Sequence, residues 1–239
     1  VPTAITAGLL NATAFGDIVM QNPIKAALAA GQRVLGTMLS AVTWTGICEI
    51  LANDGWQFIV IDTEHSRIGP EALESLIRSA SSAGLVPLVR PTDADYHLIA
   101  RALDLGALGV MVPHVDTVAE AQAVAAATHY PPEGIRGVGC FGLLTSRLEL
   151  GDYLPAANQA MLTAVMIESR QAVELAGQIA AVDGVDVLVV GPTDLSCEAL
   201  ADAASPQAPN EEARNKPISR TCKKCLTVPA NPLKSRVSR

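Results

Sequence analysis

The sequence predicts an α/β protein of the (β/α)8-barrel (TIM-barrel) type, with about six recognisable β/α units. From Val34 onward, short apolar runs alternate with amphipathic stretches of helical length. The run FIVI, residues 58–61, has no polar residue, which is typical of a parallel strand covered on both faces. The chain has 239 residues, and such a barrel usually takes about 250.

Six runs have the length and composition of buried strands. They lie at 34–39, 58–62, 86–90, 109–115, 163–168 and 185–191. Most of the helical stretches between them end at Gly or at Asn-Asp-Gly, a common helix stop. The connection between the fourth and fifth runs is longer, and YPPEGIRGVG with the residues after it predicts an inserted loop.

An open, doubly wound sheet is the alternative architecture. Such sheets often bind dinucleotides through a GxGxxG sequence directly after the first strand. No such sequence follows the first run, and GIRGVG lies after YPPE rather than after a strand. The barrel is therefore the preferred prediction.

The composition changes near Leu200 and predicts a truncated barrel domain, 1–200, followed by a basic tail, 201–239. Residues 1–200 contain 9 Lys and Arg against 21 Asp and Glu, whereas 201–239 contain 8 against 3. The tail is rich in Pro, Ser and Lys, which is typical of a disordered segment. Aromatic residues make up 3% of the chain and no folded basic face is evident, so nucleic acid is not an expected partner.

The cysteines indicate a reducing compartment. The chain has 5 widely spaced cysteines, an odd number that argues against a disulfide framework. Cys222 and Cys225 form a lone CxxC, whereas a structural zinc site needs a second pair of ligands. No apolar run reaches the about 18 residues of a membrane span, and the N-terminus lacks the basic region of a signal peptide. We therefore expect a cytoplasmic protein with no membrane partner.

Charged side chains follow several predicted strands, at the end of a barrel where active sites lie. They are Asp62, Glu64 and His65 after the second run, Arg90 at the end of the third, Glu168 at the end of the fifth and Asp194 after the sixth. Two carboxylates from separate strands are a minimal site for a hard divalent cation. A neutral His there can act as a general base, and an Arg can stabilise a developing oxyanion. By spacing alone, Asp62 is the candidate for raising the basicity of His65.

Seven motifs, IDTEHS, LVRP, LDLGA, VMVPHV, YPPEGIRGVG, MIES and GPTDLS, occur in this order. Together they resemble the HpcH/HpaI family of class II, metal-dependent 2-oxo-acid aldolases over residues 34–196. The resemblance implies a lyase that cleaves a 4-hydroxy-2-oxo acid to an aldehyde and pyruvate, or a related 2-oxo acid, through a metal-stabilised enolate. It implies Mg²⁺ or Mn²⁺ as the cofactor, with Co²⁺ as a further candidate, and a small 2-oxo acid as the partner.

The resemblance also implies roles for individual residues. His65 resembles the catalytic base, acting through a metal-bound water, and Glu168 and Asp194 resemble the metal ligands. Arg90 resembles the group that steadies the enolate and the aldehyde oxygen. Asp104, in LDLGA, matches the acid that raises the basicity of the histidine.

The backbone around Gly191, Thr193 and Asp194 resembles the cradle for the pyruvate carboxylate. Two features depart from the family pattern. Met166 stands where the family often has a Gln that touches substrate, which removes a hydrogen bond. After Ser196 the last two β/α units look missing or replaced, which exposes strand edges and puts the family's homo-oligomeric assembly in doubt for this chain.

Other interpretations compete with these. Glu168 and Asp194 could cap helices, because acids favour helix N-termini. The pattern favours structural roles for His97, His114 and His129. Two other functions stay open, an inactive remnant of a truncated barrel and a citrate-lyase-type enzyme acting on an acyl-CoA ester.

Overall fold

A computed structural model describes residues 21–139 and 148–204. The strands are β1 Gly36–Leu39, β2 Phe58–Asp62, β3 Val86–Arg90, β4 Gly109–Val112, β5 Leu162–Ile167 and β6 Val187–Val190. The helices of these residues, numbered consecutively here, are α1 Pro23–Ala29, α2 Ile47–Asn53, α3 Pro70–Ser82, α4 Tyr96–Asp104, α5 Val118–Thr128, α6 Leu150–Ala160, α7 Arg170–Ile179 and α8 Pro192–Ala204.

The six strands form one parallel sheet in the order β1-β2-β3-β4-β5-β6. A doubly wound sheet reverses direction at a switch point, whereas this order follows the chain from edge to edge. The curled sheet is therefore a partial (β/α)8 barrel, as predicted, and the open-sheet alternative is wrong. Within the described residues, β1 and β6 each pair on one side only.

The two faces of the sheet bury different side chains because successive residues of a strand point to opposite sides. On the concave face, Val60, Leu88 and Met166 pack together inside the curl. On the convex face, the intervening residues, such as Ile59 and Ile61, pack against the helices. A strand such as β2 is thus apolar on both sides, which explains its continuous apolar run in the sequence.

Helix α1 covers the N-terminal end of the concave face. Asn22 caps it by accepting from the backbone N–H of Lys25, and its Nδ2 donates to the carbonyls of Leu108 and Ala160 at 3.0 and 2.9 Å. The ammonium of Lys25 donates to the carbonyl of Met161 at 2.5 Å and lies 3.1 Å from a carboxylate oxygen of Asp186. These contacts anchor α1 to residues just before β4, β5 and β6.

Several boundaries differ from the sequence prediction. The predicted inserted loop contains α6, a helix with Pro155 inside it, so a loop throughout this connection was wrong. Strand β4 ends at Val112, and Pro113 and His114 form a turn instead of extending it. Helix α8 runs across residue 200, and the predicted division of the chain there stays a prediction. Most of the predicted tail lies outside the described residues.

The first edge of the sheet carries exposed apolar side chains, as its open edge leads one to expect. The large ones on β1, on α2 or next to them are Leu35, Met38, Val42, Trp44 and Ile50. Among the described residues, no helix is long and apolar enough to cross a membrane.

Candidate active site at the strand ends

Three of the predicted site residues share one side of the sheet. Asp62 ends β2, Arg90 ends β3 and Glu168 directly follows β5. Each is an even number of residues from a concave-face neighbour such as Val60, Leu88 or Met166, so its side chain points into the curl. The strands are parallel, so these ends form one rim, the C-terminal rim of the sheet.

Asp62 and Arg90 form a buried, two-pronged ion pair. They are partners in the β2–β3 register, and Nε and Nη2 of Arg90 donate to the two carboxylate oxygens, both at 2.9 Å. The side chain of Asp62 is 0% exposed. Burial favours a raised pKa for this carboxyl, but hydrogen bonds from Arg90, His65 and Ser40 outweigh it and lower the pKa. Burial likewise opposes the charge of Arg90, and its hydrogen bond to Asp62 leaves its pKa raised.

Asp62 also shapes the turn that follows β2. Its Oδ1 accepts from the backbone N–H groups of Glu64 at 3.0 Å and His65 at 3.3 Å, and its own carbonyl accepts from the hydroxyl of Ser66. Asp62 therefore positions His65 through the backbone. The imidazole of His65 is 70% exposed, and its Nε2 lies 3.7 Å from Oε1 of Glu64. Within the described residues, Glu64 is the carboxylate that approaches this ring.

Glu64 is a second buried carboxylate of the rim, for which the sequence predicted no specific role. Its Oε2 lies 3.1 Å from Nη1 of Arg90, and its Oε1 lies 3.2 Å from Nε2 of His114. Its side chain is 8% exposed. Its place inside IDTEHS was the available signal, because a buried strand that runs into consecutive polar residues, 62–66, marks the whole turn.

His114 lies on the same rim, where the sequence favoured a structural role for it. It adopts φ = 53°, the left-handed conformation, and is the non-glycine residue with positive φ in the described part of the chain. Its backbone N–H donates to Oε2 of Glu168 at 3.1 Å, and its Nδ1 lies 3.7 Å from the same oxygen. His129, in contrast, is buried with Nδ1 2.8 Å from the carbonyl of Ala125, and His97 is exposed on α4.

The donor chemistry around Glu168 fits a hard divalent cation. Glu168 is buried, and Oε1 lies so close to Gly191 that a Cβ added there would be 2.4 Å from it. Only glycine leaves this carboxylate its space. Asp194 is exposed in the first turn of α8, three residues after Gly191. In the described segments no cluster of at least three His, Cys, Asp or Glu side chains has metal-site geometry. Glu168 lies on the rim and Asp194 on the adjoining turn, and their predicted role as metal ligands stays a prediction.

Two predicted residues lie apart from these contacts. Thr193 is exposed beside Asp194. Asp104 ends α4, which returns the chain to the start of β4, so it lies at the opposite end of the sheet from Arg90. There its Oδ1 accepts from Nη2 of Arg136 at 2.7 Å. Within residues 21–139 the structure shows no contact between Asp104 and His65. The predicted role of Asp104, raising the basicity of His65, stays a prediction.

A surface cavity of about 710 Å³ also lies away from the rim. Tyr96, Arg101 and Asp104 of α4 line it together with residues 137–139, and Gly137 donates its backbone N–H to the hydroxyl of Tyr96 at 2.8 Å. Asp104 is thus a predicted catalytic residue that lines this cavity, whereas Asp62, Arg90 and Glu168 lie on the rim.

The fold and the rim define a (β/α)8-type enzyme with an acid-rich site at its strand ends. A family model described as HpcH/HpaI aldolase/citrate lyase matches residues 38–224. A hydroxypyruvate/pyruvate aldolase of Sagittula stellata is 38% identical over 74% of this chain and 69% of its own length. A 4-hydroxy-2-oxo-heptane-1,7-dioate aldolase of Salmonella dublin is 37% identical over 81% of this chain and 73% of its own.

Solved structures agree with this assignment. The crystal structure of an HpcH/HpaI aldolase from Desulfitobacterium hafniense superposes with a TM-score of 0.70 at 32% identity, covering 80% of this chain and 73% of that one. This chain belongs to the HpcH/HpaI aldolase/citrate lyase family. The predicted family and the prediction of an aldolase, a carbon–carbon lyase, are confirmed. The family match runs past Ser196 to residue 224, beyond the described residues.

Proposed function

We propose that the chain cleaves a 4-hydroxy-2-oxo acid to an aldehyde and pyruvate, or a closely related 2-oxo acid, with the help of Mg²⁺ or Mn²⁺. The observation that carries this proposal is the placement of Arg90 and Glu168 on one rim, joined through Glu64 and His114 by contacts of 3.1 to 3.2 Å. The named activities of the Sagittula and Salmonella relatives, both aldolases, support it.

Glu168 and Asp194 are the residues that would hold the cation. When bound, a divalent cation would supply a positive charge that stabilises the anion developing on the 2-oxo acid. Carboxylate oxygens suit Mg²⁺ and Mn²⁺, and Co²⁺ is a further candidate. The rim of this chain contributes buried acidic groups that favour binding of a cation.

Residues of the chain carry out the proton transfer and stabilise the developing negative charge. His65 is exposed at the rim and takes the proton of the 4-hydroxyl group, which lets the C3–C4 bond break and the aldehyde form. The electron pair of that bond passes to the 2-oxo acid fragment, and a proton returns to C3 to give the product. Arg90 is held in place by Asp62 and keeps its positive charge. It therefore stabilises the negatively charged oxygen that develops on the 2-oxo acid fragment.

Pyruvate release measured by a coupled assay tests this reaction. The unaltered protein should convert a 4-hydroxy-2-oxo acid with added Mn²⁺, and a chelator should abolish the turnover. His65→Ala and Glu168→Gln should each lower kcat at least about 100-fold, since each removes a group assigned to the chemistry. His97→Gln alters an exposed histidine outside the rim and should retain activity.

The outcomes separate the rival functions. A folded, Mn²⁺-loaded protein without turnover would contradict the proposal and favour an inactive remnant. Turnover only with a CoA ester would favour the citrate-lyase-type reaction. Turnover that survives both chelator and His65→Ala would contradict the assigned roles.

A further inference from the structure

A continuous set of contacts crosses the rim from the third strand to the fifth. Nη1 of Arg90 contacts Oε2 of Glu64 at 3.1 Å, and Oε1 of Glu64 contacts Nε2 of His114 at 3.2 Å. The backbone N–H of His114 then donates to Oε2 of Glu168 at 3.1 Å. We call these residues, Arg90, Glu64, His114 and Glu168, the rim bridge.

The donors of Arg90 explain why His114 is needed in the rim bridge. Asp62 takes Nε and Nη2 of the guanidinium, so Nη1 is the nitrogen that reaches Glu64. That contact places a donor beside one carboxylate oxygen of Glu64. The side chain of Glu64 is almost fully buried. The second oxygen lies 3.2 Å from Nε2 of His114 and farther, 3.7 Å, from Nε2 of His65. Buried carboxylate oxygens without a donor are costly, so the imidazole completes the surroundings of Glu64.

The backbone of His114 supports the same interpretation. A histidine at φ = 53° is uncommon, and such conformations concentrate at functional sites, where the surrounding structure holds them in place. Here the left-handed turn after Pro113 directs the amide of His114 to Glu168 while the ring reaches Glu64. One residue therefore contacts two carboxylates that follow different strands, β2 and β5.

We propose that His114 is a positioning residue that sets the placement of Glu168 relative to Arg90 through the rim bridge. This inference rests on the proposed function, in which Glu168 binds the cation and Arg90 stabilises the negative oxygen. Groups that orient a metal ligand typically change metal affinity or activity about 10–100-fold when they are removed.

Titration of the metal-free protein with Mn²⁺ alone, followed by calorimetry, tests the rim bridge. His114→Gly removes the ring at a position whose backbone conformation glycine favours, and it should weaken Mn²⁺ binding about 10-fold or more. His114→Gln keeps a side-chain donor and should recover part of that loss. His97→Gln is the matched control on α4 and should bind Mn²⁺ as the unaltered protein does.

A double-mutant cycle tests the contact between Glu64 and His114 directly. Glu64→Gln and His114→Gly should be non-additive in Mn²⁺ affinity and in urea unfolding, because the second change removes a contact that the first has already weakened. Additive effects would overturn the rim bridge. The unfolding curves also show which variants fold, and the Gln variants carry the test if His114→Gly does not.

The results distinguish this inference from the proposed function. Mn²⁺ binding and pyruvate release that are unchanged in His114→Gly would overturn the rim bridge and leave the aldolase reaction in place. The expected loss of Mn²⁺ affinity in a protein that releases no pyruvate would support the rim bridge and contradict the reaction. Absence of Mn²⁺ binding by the unaltered protein would overturn both.

Discussion

Replacing Asp62 by Asn should strongly destabilise the fold, because it removes the buried carboxylate that accepts from two nitrogens of Arg90 and leaves Glu64 as the contacting counter-charge. The carboxylate of Asp62 is fully buried and receives two side-chain donors at 2.9 Å and the backbone N–H groups of Glu64 and His65. The neutral amide has nearly the same shape but replaces one acceptor by a donor that would face the guanidinium.

The expected loss follows from the burial of the pair. Removing one partner of a buried ion pair costs about 3–5 kcal/mol, which corresponds to a fall in Tm of roughly 6–20 °C for a domain of this size. Urea unfolding followed by circular dichroism measures it. The matched control is Glu74→Gln on α3, whose contact with Arg78 at 3.2 Å is exposed and should contribute about 0.5 kcal/mol or less.

The pH dependence provides a second readout of the same substitution. The pKa of Asp62 is lowered in the folded protein, so its contribution is present above the pKa of the unfolded carboxyl and is lost as the pH falls through the folded value. The stability difference between the two proteins should therefore be full at neutral pH and shrink below about pH 4. A difference under about 1 kcal/mol at pH 7, or one that grows in acid, would refute the reasoning.

Three further substitutions or reactions test other parts of the structure. Gly191→Ala should lower Mn²⁺-dependent turnover about 100-fold with little change in unfolding, because the new Cβ would lie 2.4 Å from Oε1 of Glu168; normal kinetics would contradict that placement. Asn22→Ala should cost about 2–3 kcal/mol in thermal unfolding through the lost cap and two buried hydrogen bonds, and a cost near zero would mean that α1 is not anchored. Cys48 is buried and its pKa is raised, so mass spectrometry should find it unmodified by a thiol reagent until urea unfolds the chain; rapid labelling of the native protein would contradict its burial.

The strand pattern was the most predictable part of the structure. Runs such as FIVID contain no polar residue before their end, and the period of two places Asp62 on the same face as Val60. The same count places Arg90 and Glu168 on the concave face. Local pattern was therefore enough to find the rim and three of its charged side chains.

Contacts that depend on the turns after the strands were less predictable. His114 contacts Glu64 and Glu168 because its backbone adopts the left-handed conformation after Pro113. The sequence pattern of a histidine in a short apolar run does not predict that conformation. Asn22 likewise bonds to carbonyls 86 and 138 residues away in the chain. Helix α6 was missed because Pro155 interrupts its helical pattern.

The rim carries more negative than positive side chains, and this imbalance favours binding of a cation. Asp62, Glu64 and Glu168 are three buried carboxylates, and Arg90 is the guanidinium that contacts two of them. Like charges gathered on one rim repel, and burial strengthens the repulsion. The backbone N–H of His114 offsets only part of this at Glu168. Because binding to the folded state alone stabilises it, a divalent cation at Glu168 would relieve the repulsion and strengthen the fold at the same time.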